Sequence, residues 1–580
     1  MKPRNEVHNP QFERKNAICL NGEWEFAVDM EKIGRDDGIE LFKPDAKGFD
    51  RRITLPFCPE SELSGIGEKG FMYSVWYRRE IDVSDSAKGK RVILKIGACD
   101  YKTTVWVNGE EVGTHLGGYS SFSFDITDKL TNGKGTIVIN AEDDCRKGTQ
   151  PSGKQSPRAK SFGCLYTRTT GIWQTVSIEL VPEKHIDNFR IVTDIHSKRT
   201  IITGKTTGCG KISANAFYNG EIAASDTSES SGSFALVLNI SELHLWELGK
   251  GELYDLELSF GEDTVKSYFG MREVKIEDGK FLLNGKTVFQ RLVLDQGFYP
   301  DGIYTAPSDD AIVNDIKISM AAGFNGARLH EKVFEPRFLY HCDRLGYMVW
   351  GEQGNWGYNP SRPENLHNYA EEWTEVVERD ANHPSIVCWC PFNETNPQDN
   401  DRWNHDITVK SIYKLTKTLD PTRPCIDVSG FCHTCGTDIF DVHDYTHDTE
   451  IMKKRYLPYV TPWSDDEILL FGGKQKYSGT PVHVSEYGGI GLSLGNDGWG
   501  YNKSAASEEE FIKVYRDITN ILLDCPNILG FCYTQLYDVE QEQNGIYTYE
   551  REPKVNIEKI REINTRTAAV EKLRKKLFGH

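Results

Sequence analysis

The chain has 580 residues and carries 68 Lys and Arg against 86 Asp and Glu, which gives a formal net charge of −18. A chain of this length exceeds what a single hydrophobic core supports, so we expect two to four domains. The negative charge disfavours nucleic acid and anionic membrane surfaces as partners. The N-terminal segment MKPRNEVHNPQFERKN lacks the apolar core of a secretory signal, and no apolar run reaches the roughly 18 residues of a membrane span. We therefore predict a cytoplasmic protein.

Fourteen cysteines are scattered mostly as single residues, which is not the pattern of a disulfide framework in a chain of this size. We expect reduced thiols. The segment CHTC, residues 432–435, offers two cysteines and a histidine, but no second CxxC or HxxxH lies nearby to complete four zinc ligands. The sequence therefore predicts no metal site.

The first half of the chain has the patterns of β-strands. Up to about Pro182 short strands follow one another: VWV leads into Asn108-Gly109, the two-residue signal of a tight hairpin, and Phe122, Phe124 and Ile126 alternate with polar residues. A second all-β stretch, 183–274, contains FALVLNI and YDLELSF and has the length of an immunoglobulin-like sandwich. We predict two successive β-sandwich domains.

After about Lys275 apolar runs alternate with helix-length amphipathic segments. Helices are indicated by Ser308 with Ile312, Ile316 and Met320 spaced by four, and by EEEFIKVYRDITNILLD, residues 508–524. Eight strands are predicted, at 287–293, 324–329, 347–351, 386–390, 425–429, 439–443, 481–485 and 528–533. Eight strands in about 300 residues predict a (β/α)8 barrel.

Two glutamates follow predicted barrel strands. Glu394 lies just past the fourth strand in WCPFNETN, and Glu486 just past the seventh in PVHVSEYGG. An isolated Asn-Glu pair is more commonly a surface turn, but barrel enzymes build their active sites where the C-terminal ends of the strands meet. Two carboxylates there predict glycoside hydrolysis, in which one protonates the leaving oxygen and the other attacks the sugar or activates water. Sequence does not fix their separation, which is about 5 to 5.5 Å in retaining and roughly 6.5 to 9.5 Å in inverting enzymes.

Several segments resemble glycoside hydrolase family 2, the β-galactosidase and β-glucuronidase family. They are FMYSVWYRREIDV, VWVNGEEVGTHLGGYSSFSFDIT and RTTGIWQTVSIELV, then FLLNGK, HPSIVCWCPFNETN and PVHVSEYGG in the barrel. The resemblance covers essentially the whole chain. It implies a galactose-binding-like jelly roll (1–182), an immunoglobulin-like sandwich (183–274) and a catalytic barrel (275–580). It also implies a retaining mechanism with Glu394 as acid/base, Glu486 as nucleophile, and Asn393 bound to the hydroxyl beside the anomeric carbon.

Further residues at the predicted strand ends are candidates for sugar contact: Asp295, Arg328, His330, Trp356, His443, Tyr445 and Tyr533. In the family that the chain resembles, a tyrosine near the sixth strand contacts the nucleophile, and the resemblance implies that role for Tyr445. Arg328 is equally explained by a structural salt bridge, His330 by a supporting hydrogen bond, and Trp356 by packing. Those alternatives stay open at this stage.

The substrate prediction depends on one segment after the eighth strand. Where β-glucuronidases have a lysine that meets the sugar carboxylate, this chain reads Glu542-Gln543-Asn544, without a cation. Glucuronides are therefore disfavoured, and RLVLDQGFYPDGIYTAPSDDA resembles a branch that includes β-galactofuranosidase-like enzymes. We predict a retaining exo-glycosidase for terminal neutral sugars, a β-galactoside, β-galactofuranoside or arabinofuranoside. It would need no cofactor and bind an oligosaccharide or glycoside, as a possible homo-oligomer. The alternatives are an inverting hydrolase and a non-catalytic carbohydrate-binding protein.

Overall fold

The computed structural model describes residues 3–397, 401–434, 436–457, 479–492 and 498–572. Its N-terminal part is a sandwich of two antiparallel sheets, ordered β1-β12-β5-β9 and β3-β2-β4-β10-β7-β8, with a small β6-β11 pair. The strands are β1 Ala17–Cys19, β2 Gly22–Val28, β3 Arg51–Leu55, β4 Ser74–Asp82, β5 Lys90–Ile96, β6 Cys99–Asp100, β7 Lys102–Val107, β8 Glu110–Leu116, β9 Phe122–Asp125, β10 Lys134–Glu142, β11 Gly171–Ile172 and β12 Val176–Pro182.

Apolar residues that alternate with more exposed ones along these strands explain the sandwich. Val92 and Leu94 of one sheet and Val105 and Ile139 of the other are completely or almost completely buried in one common core. The predicted hairpin lies between β7 and β8. Its turn residue Asn108 has φ 53° and the following glycine φ 83°, the positive values that a primed two-residue turn requires.

The second sandwich is built on a long antiparallel ribbon. Its strands are β13 Ile186–Asp194, β14 Arg199–Tyr218, β15 Glu221–Asn239, β16 Tyr254–Phe260 and β17 Asp263–Phe269. The β14–β15 register shifts between Lys205 and Cys209; β13 pairs with β14 before that shift and β16 after it. Ile202 and Ile212, on either side of the shift, are both fully buried in one core. The two halves of the ribbon thus supply the two layers of an immunoglobulin-like sandwich.

The C-terminal part is a TIM barrel. A small sheet of β18 Val274–Glu277, β19 Lys280–Leu283 and β20 Lys286–Thr287 precedes it. The parallel sheet, ordered β24-β23-β22-β21-β27-β26-β25, consists of β21 Gln290–Asp295, β22 Gly326–Leu329, β23 Met348–Glu352, β24 Ile386–Cys390, β25 Phe440–Asp444, β26 Val482–Gly488 and β27 Ile528–Thr534. The predicted fifth strand, 425–429, is present only as isolated parallel bridges, Trp389 with Cys425 and Asn393 with Ser429.

Seven α-helices surround the described barrel strands: α1 Asp309–Ala321, α2 Pro336–Leu345, α3 Leu366–Asp380, α4 Arg402–Leu419, α5 Thr449–Tyr456, α6 Glu508–Asp524 and α7 Ile557–Asn564. Both predicted helices are present. The Ser308 hydroxyl caps α1 by accepting the Ala311 N–H, and Ser507 caps α6 in the same way. No helix within the described ranges is long and apolar enough to cross a membrane.

Sheet membership changes between Pro182 and Ile186 and again between Phe269 and Val274. The domain boundary that we propose after residue 182 falls at the first change, and the one that we propose after residue 274 lies one residue inside β18.

The N-terminal sandwich reaches the barrel through the segment 152–166, called here the bridging loop. Backbone N–H groups of Ser152 and Gly153 donate to the carbonyls of Trp356 (2.7 Å) and Gly354 (2.9 Å). The Trp499 indole and the Gln541 amide donate to the Gly163 carbonyl at 2.9 and 2.7 Å. The bridging loop therefore lies against the loops that follow β23 and β27.

Candidate active site

The two predicted glutamates face each other across the C-terminal ends of the barrel strands. Glu394 lies four residues beyond β24 with φ 46°, and its N–H donates to the Ser429 carbonyl at 2.8 Å. Glu486 lies within β26 rather than past its end, because that strand continues to Gly488. One carboxylate oxygen of Glu394, one of Glu486 and one ring nitrogen of His443 all lie within 4.8 Å of one another. Such proximity is what a retaining glycosidase requires and is shorter than the spacing of an inverting one.

Glu486 is buried among groups that favour its ionised form. Arg328 Nη1 donates to Oε1 at 3.0 Å, and the Tyr445 hydroxyl donates to Oε2. His443 Nε2 lies 3.5 Å from Oε1. Burial alone raises the pKa of Glu486, but the charges of His443 and Arg328 outweigh burial and lower the pKa to about 2. The carboxylate is therefore ionised across the physiological pH range, as a nucleophile must be.

Arg328 connects three functional groups from a fully buried position. It makes a bidentate pair with Glu352, with Nε–Oε2 2.6 Å and Nη2–Oε1 3.0 Å. Its Nη2 also donates to Asn393 Oδ1 at 2.6 Å. All of these contacts hold other side chains in place, so the structure favours the salt-bridge alternative for Arg328.

His330 is held by the same carboxylate. Its Nδ1 lies 3.1 Å from Glu352 Oε1, and burial lowers the pKa of His330 well below its usual value. His330 is therefore a neutral imidazole at the site, oriented by Glu352.

His443 lies between the two catalytic candidates. Its Nδ1 is 2.6 Å from Glu394 Oε1 and its Nε2 is 2.9 Å from the Ser429 hydroxyl. Burial lowers the pKa of His443, but Glu486 and Glu394 outweigh it and the pKa is raised overall. A protonated His443 can thus donate to Glu394 while its charge favours ionisation of Glu486.

The loop after β23 fixes Asn393. Asn355 accepts the Asn393 N–H at 2.6 Å and donates to its carbonyl at 3.2 Å, and the Trp356 indole donates to the same carbonyl at 3.3 Å. Asn393 Nδ2 is buried and has no hydrogen-bond partner among the described residues. An unused donor beside Glu394 is what binding of a sugar hydroxyl needs.

Two predicted contact residues make their hydrogen bonds elsewhere. Asp295 Oδ1 accepts from the Tyr537 hydroxyl at 2.5 Å and the Gly297 N–H at 2.9 Å, and burial raises the pKa of Asp295 to about 6. The Tyr533 ring packs against Tyr487 and Tyr515 and is fully buried. That Asp295 or Tyr533 binds sugar stays a prediction. Their contacts with other protein residues do not favour it.

Several residues that sequence reasoning missed shape the site. Glu352 ends β23, and its place after a predicted strand was a usable signal. Asp441 accepts from Ser429 at 2.8 Å and also faces His433, whose Nδ1 lies 2.8 Å from Asp427. His433 thus belongs to a buried ion-pair network, while Cys435 of the CHTC segment lies outside the described residues.

The remaining missed residues are aromatic or come from the bridging loop. Tyr501 stacks on Tyr445 with ring centroids 3.6 Å apart. The ammonium group of Lys154, in the bridging loop, lies 5.2 Å from the centre of the Trp356 ring. No local pattern in the sequence marks Lys154, since its neighbours at the site come from distant barrel loops.

Comparison with known proteins decides the family. Residues 274–568, slightly more than half of the chain, match the TIM barrel domain of glycosyl hydrolases family 2. The chain belongs to glycosyl hydrolase family 2. Residues 59–173 match the galactose-binding-like domain of the same family. The protein is therefore a family 2 glycoside hydrolase, and the family resemblance of the sequence is confirmed.

Relatives share this organisation at low identity. A protein of Formosa agariphila is 28% identical over 445 residues, which are 71% of this chain and 51% of that protein. The β-glucuronidase of Streptococcus agalactiae serotype V is 22% identical over 601 residues, covering 93% of this chain and 94% of the relative. The solved β-D-glucuronidase of Dictyoglomus thermophilum superposes with a TM-score of 0.77 at 18% identity, covering 96% of this chain and 98% of the other. That superposition shows the same overall fold.

Proposed function

We propose that this family 2 hydrolase is a retaining exo-glycosidase in which Glu486 is the nucleophile and Glu394 the acid/base. The observation that carries the proposal is the close approach of the two side chains around His443, with donor atoms within 4.8 Å. The different environments of the two carboxyl groups assign the roles. Glu486 is buried and held by Arg328 and Tyr445, whereas the Glu394 side chain is 17% exposed and can exchange protons with water.

The reaction follows from this assignment. Glu486 attacks the anomeric carbon while Glu394 gives its proton to the leaving oxygen, so the glycosidic bond breaks and a glycosyl-enzyme ester forms. Glu394 then removes a proton from water, whose oxygen attacks the same carbon and releases Glu486. Two inversions leave the anomeric configuration unchanged. His443 Nδ1 faces Glu394 Oε1 and stabilises the carboxylate that Glu394 becomes as it gives up its proton. The unused amide donor of Asn393 hydrogen-bonds the sugar.

We further propose that the sugar removed is a terminal neutral one. The bridging loop lies against the loops after β23 and β27, which supports a pocket closed at one end rather than an open cleft. The neutral choice rests on Glu542, a carboxylate at the position where related glucuronidases place a cation. The relatives named β-glucuronidases make the glucuronide the alternative that must be tested alongside.

The test uses Glu394→Gln and Glu486→Ala with Glu371→Gln as the matched control, since Glu371 is exposed on the outer surface of α3. Activity is measured on dinitrophenyl and phenyl glycosides of the same sugar. We expect Glu486→Ala to lose activity on both. Glu394→Gln should lose about 10²- to 10⁴-fold on the phenyl glycoside and less on the dinitrophenyl one, whose leaving group needs no proton.

Full activity of folded Glu394→Gln and Glu486→Ala would overturn the proposal. NMR of the first product distinguishes the inverting alternative, which would release the opposite anomer. Binding of sugars without any product release would favour the non-catalytic alternative.

A further inference from the structure

A buried lysine enters the site from the N-terminal sandwich. Lys154 is 4% exposed, although it belongs to the bridging loop and not to the barrel. Its Nζ lies 5.2 Å from the centre of the Trp356 ring and 6.0 Å from that of Tyr166. The Trp356 indole in turn donates to Asn393. Lys154 therefore lies one side chain away from the residue that precedes the acid/base.

Among the described residues, the ammonium group has aromatic neighbours but no polar partner. Within the part of the chain that the structure describes, Lys154 Nζ forms neither a hydrogen bond nor an ion pair. Burial lowers the pKa of Lys154, but the carboxylate of Glu542 and those of Glu486 and Glu394 outweigh burial and raise the pKa overall. The group is thus a desolvated cation with three unused donors, held by the field of nearby carboxylates and not by contact with them.

Glu542 offers the complementary acceptor. It is fully buried; its Oε2 accepts from the Tyr166 hydroxyl at 2.5 Å and its Oε1 from Asn544 Nδ2 at 3.1 Å. A carboxylate has about four acceptor positions, so two stay unused as far as the described ranges show. Tyr166 lies on the bridging loop beside Lys154. The loop therefore fixes the positions of both charged groups, one directly and one through this hydrogen bond.

We propose that Lys154 and Glu542 bind hydroxyl groups of the glycon at the end remote from the scissile bond, which makes Lys154 a specificity-determining residue. A sugar hydroxyl both donates and accepts, so one hydroxyl or a neighbouring pair satisfies the ammonium and the carboxylate together. A substrate carboxylate would gain Lys154 but meet Glu542 at like charge. The pair therefore selects a neutral glycon. The inference rests on the proposed function of the site.

The experiment compares aryl glycosides that differ in one remote group. The pyranoside series is 4-nitrophenyl β-D-galactoside against its 6-deoxy analogue, and the furanoside series is the β-D-galactofuranoside against the α-L-arabinofuranoside, which lacks the terminal hydroxymethyl group. The 4-nitrophenyl β-D-glucuronide is included. We expect the wild type to favour the sugar with the extra hydroxyl in the series that it accepts. Lys154→Met should reduce that preference about 10- to 100-fold, the range for a hydrogen bond to a charged group.

Three variants make the result specific. Lys160→Met removes the same charge from an exposed position of the same loop and should behave as wild type. Lys154→Arg keeps the charge and should keep part of the preference, which a purely structural role would not predict. Glu542→Gln should raise activity on the glucuronide relative to the neutral sugar, since it removes the opposing charge. Thermal unfolding confirms that each variant is folded.

Two outcomes would overturn the inference. One is an unchanged preference in folded Lys154→Met. The other is a wild type that hydrolyses the glucuronide best and loses that activity selectively in Lys154→Met, because Lys154 would then bind a carboxylate. Failure of the proposed function is separate: it would show as retained activity in Glu394→Gln and Glu486→Ala, whatever Lys154 does.

Discussion

Replacement of His443 by Gln tests the electrostatic link between the two catalytic candidates. The variant removes an imidazole whose Nδ1 lies 2.6 Å from Glu394 and whose Nε2 lies 3.5 Å from Glu486. The raised pKa of His443 favours its protonated form. Loss of a hydrogen bond to a charged group is worth about 1.5–3 kcal/mol. We therefore expect kcat/KM at neutral pH to fall about 10- to 100-fold, as about 1.4 kcal/mol corresponds to a factor of ten.

The same variant shifts the pH profile in a defined direction. At 3.5 Å Coulomb's law with an effective dielectric constant of about 20 gives about 5 kcal/mol between unit charges, an upper limit of about 3.5 pKa units. Arg328 stays 3.0 Å from the same oxygen, so we expect the pKa of Glu486 to rise by about 1 to 2 units from its value of about 2. Because the nucleophile must be ionised, the acidic limb of kcat/KM moves to higher pH.

The measurement is kcat/KM between pH 3 and pH 9 on the best aryl glycoside of the panel. His367→Gln is the matched control, since His367 is exposed on α3 and far from any catalytic contact described. Because the pKa of Glu486 is about 2, the wild type should lose little activity down to pH 3, whereas the variant should already lose activity as pH approaches 4. A variant profile that superimposes on that of the wild type, in a folded protein with nearly full activity, would refute the reasoning. His443 would then be a packing residue.

Two further predictions concern buried charges. Arg328→Lys cannot keep the bidentate pair with Glu352 and also reach Glu486 and Asn393, so kcat should fall about 10- to 100-fold. The free energy of unfolding by urea should fall by about 1–3 kcal/mol, because the lost contacts are buried; unchanged kcat in the folded variant would contradict a positioning role. His433→Gln should lower the free energy of unfolding by about 3 kcal/mol, because it leaves Asp427 and Asp441 without their cation. Burial lowers the pKa of His433, but these two aspartates outweigh burial and hold the pKa well above its usual value. The stabilisation that protonated His433 gives to the folded state is therefore complete below about pH 6.5 and is lost as pH rises through the raised pKa. Urea titrations of the wild type and the variant over a pH series that starts at pH 6 check this; a loss of stability that grows as pH rises would contradict the assignment.

Much of the fold could be predicted because local patterns and the tertiary structure agree. Asn108-Gly109 specified a turn that only positive φ angles satisfy, and Ser308 marked a helix start that the structure caps as expected. The exception is the segment 425–429. Its apolar pattern is that of a strand, but its described pairing is limited to single bridges, and no local feature of the sequence reports how many hydrogen bonds a neighbouring strand will offer.

The residues of the candidate site also fall into those that the sequence could predict and those that it could not. Glu394 and Glu486 were predictable because Glu394 follows a buried strand and Glu486 lies near the C-terminal end of another, and the barrel brings such positions to one end. The roles of Arg328 and His330 could not be chosen from sequence, since the choice depends on Glu352, whose distance from them is a tertiary fact. Lys154 gave no signal at all, because its chemical environment is created by docking of one domain on another.

That docking has a consequence for how the enzyme could diversify. The two glutamates proposed as catalytic lie in or just after barrel strands, whereas Lys154 comes from the bridging loop of the N-terminal sandwich. Under this proposal, mutation of the bridging loop changes which glycosides are bound and leaves the two glutamates of the barrel in place. Conversely, a barrel produced alone would retain its two glutamates but lack Lys154, the residue that we propose as a determinant of sugar specificity.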